Sequence, residues 1–165
     1  MVFWHALALL LHIVALALWL GGIFFFLIVF APAVRDLSPG DVAKTLNSGR
    51  IAFETVSWAA IGLLVITGVA ALVLQSQIIG TRVGTYYLAI LAVKLVLFAA
   101  MLAHHCLQVF KYGPRIALAT AGAELQTSVW PEALRPQWEK WFLLLKINAT
   151  LGPIVTLLGL ALVRS

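Results

Sequence analysis

Six ionisable side chains lie inside long apolar stretches of this sequence. They are His5 and His12 in the first stretch, Lys94, His104 and His105 in the third, and Lys146 in the fourth. An ionisable group at the centre of a bilayer costs about 2.5 kcal/mol or more unless it finds a partner or water. Imidazoles bind metals and haem iron, and a buried amine binds anions or transfers protons. Each residue is therefore a candidate for a functional site.

The composition of the chain is that of a membrane protein. It is 63% hydrophobic and 10% charged, with a mean hydropathy of +1.06. About 20 apolar residues span the hydrocarbon layer as a helix, and residues 3–30, 56–74, 85–110 and 141–163 all meet that length. Only helices or closed barrels satisfy their backbone in lipid. We therefore predict one all-α domain over 1–165, an up-down-up-down bundle of four transmembrane helices. The first apolar run is too long for a signal peptide, so we expect it to be retained.

The basic residues predict the orientation. Seven lie in the first and third connections and two on the other side: Arg35, Lys44, Arg50, Lys111, Arg115, Arg135 and Lys140 against Arg82 and Arg164. The positive-inside rule places the first group in the cytoplasm and both termini outside. We expect a multi-pass protein of a bacterial-type inner membrane. The net charge of +5 reflects these basic residues, which set the membrane topology, and no nucleic-acid partner is predicted.

The first connection carries a helix start of its own. Ser38 is typical of an N-cap and Pro39 of the first helical position. Apolar residues recur along the segment that follows. We therefore predict a short amphipathic helix over Pro39–Phe53 that lies along the membrane interface.

Depth along the helices predicts which buried groups meet. At about 1.5 Å per residue, four side chains fall at one level in the outer half of the bilayer, and we expect them to face one another: His12, Thr67, Lys94 and Thr156. His5 and Trp19 lie seven residues before and after His12, on the same helical face.

A second group lies near the cytoplasmic side. His105 follows Lys94 on nearly the same face, about 16 Å further in. Lys146 and Asn148 begin the fourth helix at that level. We expect His104 to point away from the site, Lys146 to reach the membrane surface and Cys106 to fill space in the core. Two groups at two depths predict either a route across the bilayer or one site near each surface.

Several motifs resemble the CopD-type and HemJ-type membrane protein families. The first helix is similar in the pattern His12-x6-Trp19-x2-Gly22, with Phe-rich residues and Pro32 after it. Later likenesses are Ile66-Thr67-Gly68, Lys94 with His105, Lys111-Tyr112-Gly113-Pro114-Arg115, and Asn148 with Pro153. The likeness extends over nearly the whole chain through scattered residues.

The resemblance implies a fold and two activities. HemJ-type proteins are four-helix membrane proteins that bind b-type haem and are linked to protoporphyrinogen oxidation; their site positions carry over to His12, Lys94 and His105. Ile28 and Ala33 stand where those proteins usually have Arg and a further His, which leaves that enzymatic activity open. CopD-type proteins are associated with copper uptake or resistance. This chain has two Met, whereas thioether ligands suit a Cu(I) path.

Three functions from different classes follow from these residues. The first is a membrane redox protein with haem b, in electron transfer or porphyrin metabolism, in which Lys94 holds a propionate or transfers protons and the cofactor contacts are His12, His105, Thr67 and Trp19. The second is copper handling through His5, His12, His104, His105 and Cys106. The third is an accessory subunit of a larger membrane complex.

The sequence also bears on partners. His12 and His105 differ in depth by roughly 15 Å, which is too far for both to bind one haem iron. The second and fourth helices contain no His. We therefore expect a six-coordinate haem to need another ligand, a homodimer partner or a subunit of a larger respiratory-type complex in the lipid bilayer.

Overall fold

The computed structural model describes residues 2–79, 84–123, 132 and 134–163, and these form four long helices. Helix α1 comprises Val2–Phe24, a π-helical stretch Phe25–Phe30 and a last turn Ala31–Ala33. Helix α2 is Pro39–Ile79. Helix α3 comprises Thr85–Cys106, a π-helical stretch Leu107–Tyr112 and Gly113–Ala123. Helix α4 is Arg135–Val163.

Each of the four helices is long and apolar enough to cross a membrane. As residue numbers rise along α1 they fall along the part of α2 that it contacts, from the His12–Thr67 pair to the Phe26–Phe53 pair. The same holds for α3 and α4, where His104 meets Asn148 and Gln108 meets Trp141. Neighbouring helices are thus antiparallel. The predicted all-α, four-helix membrane bundle is confirmed.

The start of α2 agrees with the sequence, but its extent does not. The Asp41 N–H donates to Ser38 Oγ at 3.4 Å, so Ser38 caps the helix that begins at Pro39. The separate interfacial helix predicted over Pro39–Phe53 is wrong, because this segment continues unbroken to Ile79. No Gly or Pro lies between Gly49 and residue 56, where the predicted transmembrane stretch begins, so nothing interrupts the helix there. Ala43 and Leu46 are buried in the hydrophobic core, so this part of α2 packs against the protein.

The other boundaries also extend beyond the apolar stretches. Helix α3 continues past residue 110 to Ala123, and α4 begins at Arg135 rather than near residue 141. Much of the third connection is therefore helical. Arg82 and Arg164, which entered the orientation argument, lie outside the described residues.

The two π-helical stretches change which faces the helices present. In α3 the buried positions Met101, His105 and Gln108 are spaced by four and three residues, and the next buried position is Gly113, five residues on. A π-helical turn accommodates such an extra residue. The stretch in α1 holds Phe26, whose ring centroid lies 5.1 Å from that of Trp141 and 5.7 Å from that of Phe53. Both stretches thus border the aromatic core.

Candidate functional site

The His12 and Thr67 side chains form a direct hydrogen bond between α1 and α2. His12 Nδ1 lies 3.0 Å from Thr67 Oγ1. His12 is half-buried on the α1 face that also buries Ala8, Ala15 and Trp19, because positions seven apart share a helical face. Thr67 is 3% exposed. The predicted meeting of His12 and Thr67 is confirmed.

The Thr67 hydroxyl fixes the proton on the His12 ring. Thr67 Oγ1 donates its single hydrogen to the Leu63 carbonyl at 2.6 Å, so toward His12 it acts as an acceptor. His12 Nδ1 therefore carries the N–H of this bond. In the neutral ring, Nε2 then keeps an unprotonated lone pair, which is the form that binds metals.

Lys94 lies in the same layer. It is half-buried on α3, and its charge interacts with His12. A Cβ added to Gly159 of α4 would lie 3.2 Å from Lys94 Nζ, and one added to Gly68 of α2 would lie 3.3 Å from His12 Cε1. Two glycines therefore leave space beside the two basic groups. We call His12, Thr67, Gly68, Lys94 and Gly159 the His12 layer.

The remaining residues predicted for this layer are less direct members of it. Thr156 is half-buried and donates to the Gly152 carbonyl of its own helix at 2.9 Å. It shares the face of α4 that carries Gly159, three residues on, toward Lys94. His5 is half-buried, and its Nδ1 has no hydrogen-bond partner within the described residues.

His105 lies in a second layer made of aromatic rings. Its ring centroid is 5.2 Å from that of Trp58 and 6.2 Å from those of Trp19 and Phe53, in each case edge to face. His105 is 1% exposed, and its Nε2 has no hydrogen-bond partner among the described residues. We call these four residues, with Gln108, the His105 layer. Trp19 thus belongs to the His105 layer.

The two layers are separate. Thr67 and Trp58 lie nine residues apart on the unbroken helix α2, which corresponds to about 14 Å. His12 contacts the first of these residues and His105 packs on the second. The difference in depth predicted between the two histidines is therefore present in the structure.

His104 points away from the His105 layer and into the interface between α3 and α4. Its Nδ1 lies 3.1 Å from Asn148 Oδ1, and Asn148 Nδ2 donates to the Met101 carbonyl at 3.1 Å. Asn148 is 1% exposed, whereas Lys146 is exposed and Cys106 half-buried. The adjacent histidines thus serve two interfaces: His105 faces α1 and α2, and His104 faces α4.

A buried ion pair near the His105 layer was missed in the sequence. Arg50 Nη1 donates to Glu54 Oε2 at 2.7 Å, and their side chains are 5% and 11% exposed. Trp141 Nε1 donates to Glu54 Oε1 at 3.3 Å, and Gln108 Nε2 donates to the Trp141 carbonyl at 3.0 Å. We call Arg50, Glu54, Gln108 and Trp141 the Arg50 network. Its i, i+4 Arg–Glu spacing was the available signal.

The donor set bears on which metal centres fit. Within the described residues, no three His, Cys, Asp or Glu side chains come together as a metal site. A copper ion held by several protein ligands would need groups beyond those that the described residues bring together. A haem iron needs only one or two protein ligands.

Comparisons of the chain with protein-family models, with curated proteins and with solved structures find no match.

Proposed function

We propose that this protein is a membrane redox protein that binds b-type haem at the His12 layer and acts in electron transfer or porphyrin metabolism. The observation that carries the proposal is the His12–Thr67 hydrogen bond, which leaves His12 Nε2 as a free imidazole ligand at membrane depth. Metal-ligating histidines usually donate their other ring N–H to an oxygen in this way.

The neighbouring residues fit a haem as well. Lys94 is a half-buried cation in an apolar layer and has no hydrogen-bond acceptor among the described residues. It is positioned to pair with an anionic group such as a carboxylate of the porphyrin. The glycines at 68 and 159 keep Cβ atoms out of the space beside the two basic groups. When bound, the haem supplies a one-electron centre, and its axial ligand and nearby charges set the potential.

A second axial ligand is not supplied by His105 in this arrangement. That ring lies about two and a half helical turns from the His12 layer, between three aromatic rings. We propose that a partner provides the second ligand, as a second copy of this chain or a subunit of a larger membrane complex. Without such a partner, His12 would be the one protein ligand that the described residues offer to the haem.

The orientation is also a proposal. Apolar helices place the chain in a lipid bilayer. The seven-to-two distribution of basic residues supports connections in the cytoplasm and both termini outside, in a bacterial-type inner membrane. Labelling of single cysteines from either side of sealed vesicles tests it, and labelling of position 111 from the outside contradicts it.

The decisive experiment is a reduced-minus-oxidised absorption spectrum of the purified protein. We expect a b-type α band that is lost in His12→Ala and kept in His5→Ala. His5 is the matched control, because it lies seven residues before His12 on the same face of α1. Lys94→Met is expected to keep the band and shift the midpoint potential. A band that persists in His12→Ala overturns the site. A colourless protein with copper bound, measured by elemental analysis, overturns the cofactor and supports copper handling.

A further inference from the structure

The four helices pack as two antiparallel pairs, and the distance between the pairs changes along the bundle. Helix α1 packs along α2, and α3 packs along α4. On one side the pairs are joined where α1 meets α4, since a Cβ on Gly152 would overlap the Leu20 side chain. On the other side α2 approaches α3 mainly through Gly113–Ala123, near the Arg50 network. At the level of the His12 layer, α2 and α3 are therefore further apart.

The burial pattern of α3 shows the same change. Among the described residues 84–100 Ile90 alone is buried, whereas from Met101 to Thr120 a buried residue recurs every three to five positions. Lys94 lies in the first of these regions and has Gly159 of α4 beside its Nζ atom. The first half of α3 thus packs on one side against α4, and its remaining sides face lipid.

Aromatic rings close the space between the two helix pairs at one depth. The Trp58 ring of α2 lies 5.2 Å from that of His105 of α3, and the Trp19 ring of α1 lies 6.1 Å from that of Phe98 of α3. Trp58 and Thr67 are nine residues apart on α2, which corresponds to about 14 Å. These rings therefore form the floor of a lateral opening between α2 and α3, and the His12 layer borders that opening.

The polar groups at the opening favour one kind of ligand. His12 and Lys94 are half-buried rather than enclosed, and Lys94 has no hydrogen-bond acceptor in the described part of the chain. An ammonium at membrane depth is costly unless it finds a partner. A carboxylate supplies the missing charge, and an apolar body attached to it suits a site that borders on lipid.

We propose that the His12 layer opens laterally to the lipid between α2 and α3, and that a membrane-dissolved amphiphile enters there and pairs its carboxylate with Lys94. The inference rests on the proposed function in taking the His12 layer as the ligand site, and it adds the route and the chemical class of the ligand. A porphyrin and a long-chain fatty acid share this chemistry, and the tests below distinguish them.

The first test measures access from lipid without any ligand. Protein labelled with 15N-histidine is studied by NMR in bicelles, with His12→Gln and His105→Gln used to assign the signals. A neutral lipid-soluble spin label, the methyl ester of doxyl-stearic acid, is expected to broaden the His12 signal more than that of His105, which is 1% exposed. A water-soluble gadolinium chelate is expected to broaden neither. A His12 signal that the lipid-soluble label broadens no more than that of His105 overturns the opening.

The second test measures the preference for a carboxylate. Electron paramagnetic resonance compares the immobilised fraction of doxyl-stearic acid with that of its methyl ester. We expect the wild type to prefer the acid by about fivefold and Lys94→Met to lose this preference. Lys146→Met, which removes an exposed lysine of α4, is the matched control and is expected to keep it. Equal loss in both variants, or no preference in the wild type, overturns the proposal.

The third test relates the opening to haem. Stearic acid is expected to compete with haemin in an absorption titration of the wild type, because both ligands need Lys94. Bound haemin that stearic acid does not displace overturns the proposal. Preference for the acid in a protein that binds no haemin supports the opening and overturns haem binding. Lys94→Met must keep the helical circular dichroism of the wild type, and Lys94→Gln replaces it in both comparisons if it does not.

Discussion

The His12 layer and the Arg50 network solve the problem of buried polar groups in opposite ways. In the network, every charge has a partner within the protein: Arg50 bonds Asn47 and Glu54, and Glu54 also accepts from Trp141. In the His12 layer, Lys94 has no acceptor among the described residues and His12 keeps a free nitrogen. Paired charges stabilise one packing of the helices, whereas a charge without a partner leaves binding capacity for a ligand. We therefore expect changes in the Arg50 network to affect mainly stability, and changes in the His12 layer to affect mainly ligand binding.

The largest effect is expected from breaking the buried ion pair. Glu54→Ala leaves the Arg50 guanidinium without its carboxylate, and removing one partner of a buried pair costs about 3–5 kcal/mol. Thermal unfolding in detergent, followed by circular dichroism, measures it. The control is Glu139→Ala, which breaks the exposed Arg135–Glu139 pair of the same i, i+4 spacing and costs about 0.3–0.5 kcal/mol. Equal losses contradict the comparison.

A smaller loss is expected at the glycine that faces the network. A Cβ on Gly113 would lie 2.7 Å from Arg50 Nη1, so Gly113→Ala displaces a guanidinium that Glu54 and Asn47 hold in place. Overpacking of this kind costs about 1–3 kcal/mol. Gly62→Ala meets no atom within 4 Å and is expected to stabilise α2 by up to about 1 kcal/mol. The same unfolding measurement compares the two, and a stabilising Gly113→Ala refutes the packing argument.

Thr67→Val tests the His12 layer by removing one hydroxyl without changing the shape. The bond to His12 and its control of the tautomer are lost, and stability falls by about 1 kcal/mol. If haem binds there, its affinity falls by about 10–100-fold. Haemin titration measures this. Thr55→Val removes an exposed hydroxyl that bonds its own helix, and it is expected to change neither quantity.

Lys94→Met is expected to have the smallest effect on folding and the opposite sign. It replaces a half-buried ammonium without an acceptor by an apolar chain of similar length, so stability is unchanged or slightly raised. Binding of a carboxylate-bearing porphyrin is weakened at the same time. Loss of stability on this change, seen in the same thermal melts, shows that Lys94 is a structural residue like those of the network.

The sequence predicted the His12 layer better than the network for a physical reason. Depth along a straight helix follows from residue number, so His12, Thr67 and Lys94 could be placed at one level. Arg50 was counted as a basic residue of a connection, because its burial depends on α2 continuing through residues 39–56. His104 was expected to point away from the site, since adjacent residues point about 100° apart. It does point away from His105 and Trp58, but it contacts Asn148 of α4, and that partner was not predicted.

The π-helical stretches decide where the helices tolerate a change in chain length, although insertions and deletions in membrane helices are usually judged by hydrophobicity alone. The segment between Gln108 and Gly113 holds one residue more than a regular α-helix would need to place both on one face. Gln108 can therefore bond the Trp141 carbonyl while Gly113 lies against Arg50. Deleting one residue from Leu107–Tyr112 would restore regular winding and leave the residues after it on nearly the same faces, whereas a deletion in a regular stretch of α3 would rotate everything after it by about 100°. A related protein with a one-residue gap opposite this stretch is therefore expected to keep the same packing after it, whereas a gap in the regular part of α3 marks a protein in which this end of the bundle is packed differently.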